Sequence, residues 1–219
     1  MTLRFHPEDA TLVSYAAGAL PQSIALLVGS HIEMCPACGA EMRLVAALSG
    51  AALACAPVEA VEAGAFLRLA ARLDEAVPSS AALAGPGTEA SGLPGPLARF
   101  VGGGIEAIPW REALPGIEHC RYVLSSARGE SFLRLLRAAP GREIPDHAHS
   151  GQEATLVLRG ALSDGDRVYL PGEFCDLDDA TVHAPKVHGD AACICAIAEE
   201  GPPKFVSAEL AAYLRQAGI

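Results

Sequence analysis

Two groups of side chains in this chain have the spacing of metal ligands. His31, Cys35 and Cys38 form H-x3-C-x2-C, and His6 stands at the head of the helix that precedes them. Thiolate and imidazole are the donors that tetrahedral zinc prefers. His31 near the end of one helix and Cys35 and Cys38 at the start of the next place three donors around one corner. A first helix folded antiparallel on the second brings His6 to the same corner. A cysteine at a helix N-terminus is also more easily deprotonated, which helps it bind a cation. The competing use of a CxxC is a redox pair, but a thioredoxin-type motif follows a strand, and here a helix precedes it. The expectation is zinc at His6, His31, Cys35 and Cys38.

The second group runs from Gly141 to Gly160 as G-x5-H-x-H-x3-E-x6-G, with His147, His149 and Glu153 as the polar positions. Residues two apart on a strand share a face, so His147 and His149 point the same way. Glu153 lies an even number of residues further on. Two imidazoles and a carboxylate suit a first-row divalent metal. A third imidazole comes from downstream, where His183 is favoured and His188, beside Gly189-Asp190, competes. Four protein donors nearly close a tetrahedral site, which makes zinc the expected occupant. Cys193 and Cys195 share a strand face and read either as small buried side chains or as a thiol pair able to respond to oxidants. Cys55 and Cys175 have no partner by spacing, and the neighbours His119 and Cys120 point to opposite faces.

The elements that must carry these groups differ between the two halves. Residues 7–77 have helical periodicity, with Pro7, Pro21 and Pro36 each suited to a first helical position. The third helix runs to about Ala54, and a fourth is expected over Val58–Val77, with an apolar stripe at Val58, Val61, Ala65, Leu69 and Leu73. Phe66, Leu67 and Ala70 widen that stripe, so it fits either core packing or a surface kept for a partner. Residues 78–96 are rich in Gly, Pro and Ser and read as a linker. Beyond them come short alternating segments separated by turns, among them His119–Ser125, Ser131–Arg137, Ala154–Arg159, Arg167–Leu170 and Cys193–Ala198. That spacing suggests an all-β barrel or sandwich. Ser207–Gln216 reads as a closing helix.

Composition narrows the function. The chain has 219 residues, half of them apolar, enough for two domains with real cores. Its formal net charge is −10, and acidic residues prevail on both sides of the linker. With no run of Lys or Arg to meet phosphates, direct binding of nucleic acid is not expected; the partner is a basic protein or a small molecule. No apolar run approaches the roughly 18–20 residues that span a bilayer. The N-terminus carries no signal-peptide pattern. Seven cysteines, an odd number that includes a CxxC, fit thiols kept reduced in a cytoplasm better than a disulfide framework.

Residues 1–77, with Phe5-His6-Pro7, Ser14-Tyr15-Ala16-Ala17-Gly18 and His31-Ile-Glu-Met-Cys35-Pro-Ala-Cys38, resemble the zinc-binding anti-sigma domain, and all four zinc positions of that pattern are filled. The Gly141–Gly160 motif, with the second block Gly165-x5-Pro171-Gly172 and His183, resembles the cupin barrel over roughly residues 97–200. It departs from the commonest form in the long gap before His183 and in having Ala184-Pro185-Lys186 where an Asn usually follows. The pairing of the two domains resembles the ChrR family of anti-sigma factors over essentially the whole chain. The resemblance implies an α plus all-β two-domain protein. A four-helix zinc anti-sigma domain spans 1–77, a linker 78–96, and a metal-binding cupin with its C-terminal helix 97–219. It further implies a heterodimer with an extracytoplasmic-function sigma factor, inhibited by the head and released when the cupin responds to singlet oxygen or organic peroxide. The alternatives are a metal-dependent cupin enzyme, an oxygenase or isomerase with a regulatory head, and a metal-storage or thiol-buffering protein.

Overall fold

The computed structural model describes residues 2–73, 91–126, 129–179 and 181–217. Four helices open the chain: α1 (Asp9–Ala16), α2 (Gln22–Met34), α3 (Pro36–Ala54) and α4 (Ala65–Arg72). Pro36 sits at the first position of α3, where its missing N–H costs nothing. Cys35 is extended between α2 and α3 and so ends one helix and starts the next. The fourth helix is shorter than its apolar stripe predicts. Residues 57–62 are not helical, and α4 starts only after Gly64, whose φ of +81° no right-handed helix can contain. Its expected end, 74–77, lies outside the described residues.

The second half is a barrel of strands β1 (Arg111–Leu114), β2 (Ile117–Ser126), β3 (Gly129–Ala138), β4 (His147–Ala148), β5 (Glu153–Arg159), β6 (Leu162–Asp164), β7 (Arg167–Tyr169), β8 (Phe174–Leu177), β9 (Val182–His183), β10 (Lys186–Val187), β11 (Cys193–Glu199) and β12 (Lys204–Phe205). They form a six-stranded sheet, β1-β2-β3-β11-β5-β8, and two three-stranded sheets, β10-β6-β7 and β12-β4-β9. A short helix α5 (Gly95–Val101) precedes the barrel, and α6 (Ala208–Ala217) closes it. The strands expected from the alternation of side chains fall within observed ones, except that Leu170 lies just beyond the end of β7.

The large sheet is buried on both faces. Along β11, Cys193, Cys195 and Ile197 point into the barrel with Leu136, Val157 and Cys175. The alternate residues Ile194, Ala196 and Ala198 face outward, against Ile24, Leu27 and Val28 of α2. This explains why β11 is apolar from Cys193 to Ala198 and does not alternate. Each of those α2 side chains is fully buried, a burial worth about 1.5–3 kcal/mol apiece. Head and barrel thus share one apolar core. Residues 78–90 of the expected linker lie outside the described residues. Its last six, 91–96, are packed, with Leu93 fully buried in the same core as α2.

Helix α3 is different. Among its residues Cys38 is buried, while Leu44, Leu48 and Leu53 are 61–77% exposed. By length and composition α3 could cross a membrane, which the sequence expectation did not allow for. Its first turn is tied into the corner with α2 described below.

Candidate metal centres

The first centre is a corner built by three elements. His31 is one turn from the end of α2, Cys35 is the junction, and Cys38 lies in the first turn of α3. His6 arrives from the chain before α1. His6 Nδ1 stands 3.3 Å from Cys38 Sγ and 3.5 Å from Cys35 Sγ, and His31 Nε2 stands 3.3 Å from Cys38 Sγ. Zinc bonds of about 2.0–2.3 Å at tetrahedral angles put neighbouring donors about 3.3–3.8 Å apart, which these spacings match. The four donor atoms lie within 4.8 Å of one another.

Their electrostatics also suit a cation. His31 donates its Nδ1–H to the carbonyl oxygen of Gly172 at 2.7 Å, which leaves Nε2 as a bare lone pair facing the thiols. Burial pushes this imidazole down to about 4, against the pull of that carbonyl, so it is neutral at neutral pH, as a ligand must be. Burial, and then the adjacent Cys35 thiol, pushes Cys38 up to about 12. Two thiolates so placed need a positive charge between them.

The second centre sits inside the barrel. Antiparallel pairing of β4 with β9 sets His147 opposite His183, and Glu153 opens β5. His147 donates its Nδ1–H to the Pro145 carbonyl at 2.8 Å, and His183 donates its own to Asp164 Oδ2 at 2.7 Å. Both Nε2 atoms are therefore acceptors, yet they face each other at 3.2 Å. Two lone pairs at that distance repel unless a cation lies between them. His149 Nδ1 is 3.0 Å from Glu153 Oε2, and the Nε2 atoms of His147 and His183 are 4.0 and 3.8 Å from the same carboxylate. Burial opposes charge on Glu153, but His149 and the other imidazoles outweigh it and hold the carboxyl below its usual range. The four donors converge within 4.8 Å. His188 is exposed, and its backbone N–H is bonded to Ala161 instead.

Sequence reasoning did not single out Asp164, which orients His183, nor the buried ion pair of Arg134 and Glu199, 3.1 Å apart. Burial pushes Glu199 up to about 7 in spite of that arginine. A cavity of about 40 Å³ beside the cluster is lined by apolar side chains such as Leu136, Ile144, Phe205 and Leu214, and reaches His147 and Glu153. It has room for a few water molecules. Cys193 and Cys195 are both buried; the hydrogen bond with Cys193, then burial, pushes the Cys195 thiol well above its usual range.

Comparison with known proteins agrees with both halves. The family model described as the ChrR Cupin-like domain matches residues 101–201. The anti-sigma-E factor ChrR of Cereibacter sphaeroides is 34% identical over 209 residues, covering 94% of each chain. The crystal structure of Rhodobacter sphaeroides SigE in complex with the anti-sigma ChrR superposes with a TM-score of 0.76 at 31% identity, over 90% of this chain and 99% of that one. With two donor clusters in a helical head and a cupin barrel, and this likeness along nearly its whole length, the chain belongs to the ChrR family of anti-sigma factors.

Proposed function

We propose that this chain is an anti-sigma factor that sequesters an extracytoplasmic-function sigma factor, and that it does so through the head, residues 1–77. The observation that carries this is α3, a 19-residue helix with one buried side chain, followed in the chain by α4, where Phe66, Leu67 and Leu69 are exposed as well. A monomer rarely leaves so many large apolar side chains to water unless another protein covers them. The relative crystallised with SigE is alike along nearly all of this chain. A bilayer as the occupant of α3 is disfavoured by its anchorage, since Cys38 in its first turn is buried in the metal corner.

In this reading zinc is held by His6, His31, Cys35 and Cys38 and braces the corner from which α3 projects. A second divalent ion, zinc, is held by His147, His149, Glu153 and His183. Bound there, the ion cross-links β4, β5 and β9. The barrel, within residues 97–219, serves as the sensor, and oxidative stress such as singlet oxygen or organic peroxide ends sequestration. The tightness of the cavity beside the cluster favours sensing over turnover of an organic substrate. A cytoplasmic location follows from the partner and suits seven cysteines that form no disulfide. The test is co-expression with sigma factors encoded beside this chain. A one-to-one complex with one of them, lost when α3 is altered, is the expected result; a chain that purifies alone from every such pairing, or that partitions into membranes, would sink the reading.

A further inference from the structure

The two imidazoles of the head's metal corner are held from outside the head. His31 Nδ1 bonds the carbonyl of Gly172, and Gly172 lies in the turn between β7 and β8 of the barrel. Its φ of +89° is open to glycine alone at low cost, and a Cβ there would stand 3.1 Å from Leu3. The next residue, Glu173, is 1% exposed. Its Oε1 accepts the backbone N–H of Arg4 at 2.9 Å, and its Oε2 accepts that of Leu170 at 2.8 Å. Phe174 N–H then bonds the Phe5 carbonyl, and the Phe174 ring packs edge-on against His31, centroids 5.7 Å apart. Residues 4 and 5, which lead into His6, are thus laid along residues 173 and 174. The thiolates are placed by α3, but the imidazoles are placed by the barrel.

We propose that Glu173 is a positioning residue for the head's metal centre: by clamping the backbone of Arg4 to the barrel it delivers His6 to Cys35 and Cys38. A buried carboxylate that accepts two backbone N–H groups is a strong and rigid anchor. Its contact with the Arg4 guanidinium, 3.3 Å, adds little, because that side chain is more than half exposed. Outer contacts of this kind change metal affinity by about 10- to 100-fold. The proposal rests on reading the corner as a metal site.

The test uses the full chain loaded with cobalt(II). Charge-transfer absorption from thiolate to cobalt reports the head alone, since the barrel donors are nitrogen and oxygen. Release is followed after addition of excess chelator. Glu173→Ala should release head cobalt about tenfold faster or more than wild type, with barrel metal content unchanged. Glu173→Gln keeps one acceptor oxygen and should fall between; it carries the test if the alanine variant does not fold. Arg4→Ala, which retains the backbone N–H, should release as wild type does. Wild-type release rates in folded Glu173 variants would overturn the proposal. Absence of the thiolate band in the wild-type chain would overturn instead the metal reading on which it stands.

Discussion

Asp164 Oδ2 accepts the Nδ1–H of His183 at 2.7 Å, on the side of the ring turned away from the barrel cluster. The contact fixes both the tautomer and the plane of the imidazole whose inclusion was least evident from sequence. Asp164→Ala should lower metal affinity at the barrel about 10- to 100-fold. Asp164→Asn, which keeps an acceptor but loses the charge, should lie between. Chelator competition on the purified variants measures both, and an unchanged affinity in Asp164→Ala would remove His183 from the ligand set.

Replacing Cys35 or Cys38 by Ser should remove the head's metal while the barrel keeps its own, and should abolish sigma capture. The reason is that α3 is oriented by that corner, and in a small helical unit metal binding is also folding free energy. Metal analysis with a pull-down checks it. A variant carrying the full wild-type metal content would refute the assignment.

Substitutions at the exposed apolar side chains of α3 and α4 separate binding from folding. Leu48→Asp and Phe66→Asp alter side chains 63% and 78% exposed, so thermal unfolding should shift little, within about 0.5 kcal/mol. Affinity for the sigma factor should fall tenfold or more, as expected for apolar anchors at an interface centre. Titration calorimetry gives the second quantity and a melting curve the first; intact affinity in both variants would place the interface elsewhere.

His147→Ala with His149→Ala should leave basal repression in place and blunt release under singlet oxygen or organic peroxide, because the altered cluster lies inside the barrel and away from the proposed interface. A reporter assay reads both states. Normal induction in the double variant, or multiple turnovers of a small organic substrate by the metal-loaded wild type, would favour a cupin enzyme.

The shared core makes a prediction for stability. Leu27 of α2 is fully buried among side chains of the barrel's outer sheet. Leu27→Ala should therefore destabilise the full chain by about 2–5 kcal/mol, seen in urea unfolding followed at the barrel. If barrel unfolding is unmoved, head and barrel fold independently, and the fragment 1–77 would be as stable alone as within the chain.

Three donors of each candidate cluster were legible in the sequence because they are local. H-x3-C-x2-C spans one helix junction, and H-x-H-x3-E spans one strand and a turn, so periodicities of 3.6 and 2 decide which donors share a face. The longer strands, the first three helices, the closing helix and the apolar excess of the fourth were legible for the same reason. Long-range pairing decided the rest. The register of β4 against β9 brings His183, and not His188, across from His147. The role of Asp164 depends on a partner 19 residues away, and that of Gly172 on one 141 residues away; neither separation leaves a mark on local composition. The apolar run of Cys193–Ala198 says that a strand is buried on both faces but not what covers the outer one. That α2 covers it, and that the head's imidazoles are held by a barrel turn, follows from packing two apolar surfaces together. Tertiary structure alone makes that choice, because burial is non-directional and the chain could have hidden either surface elsewhere.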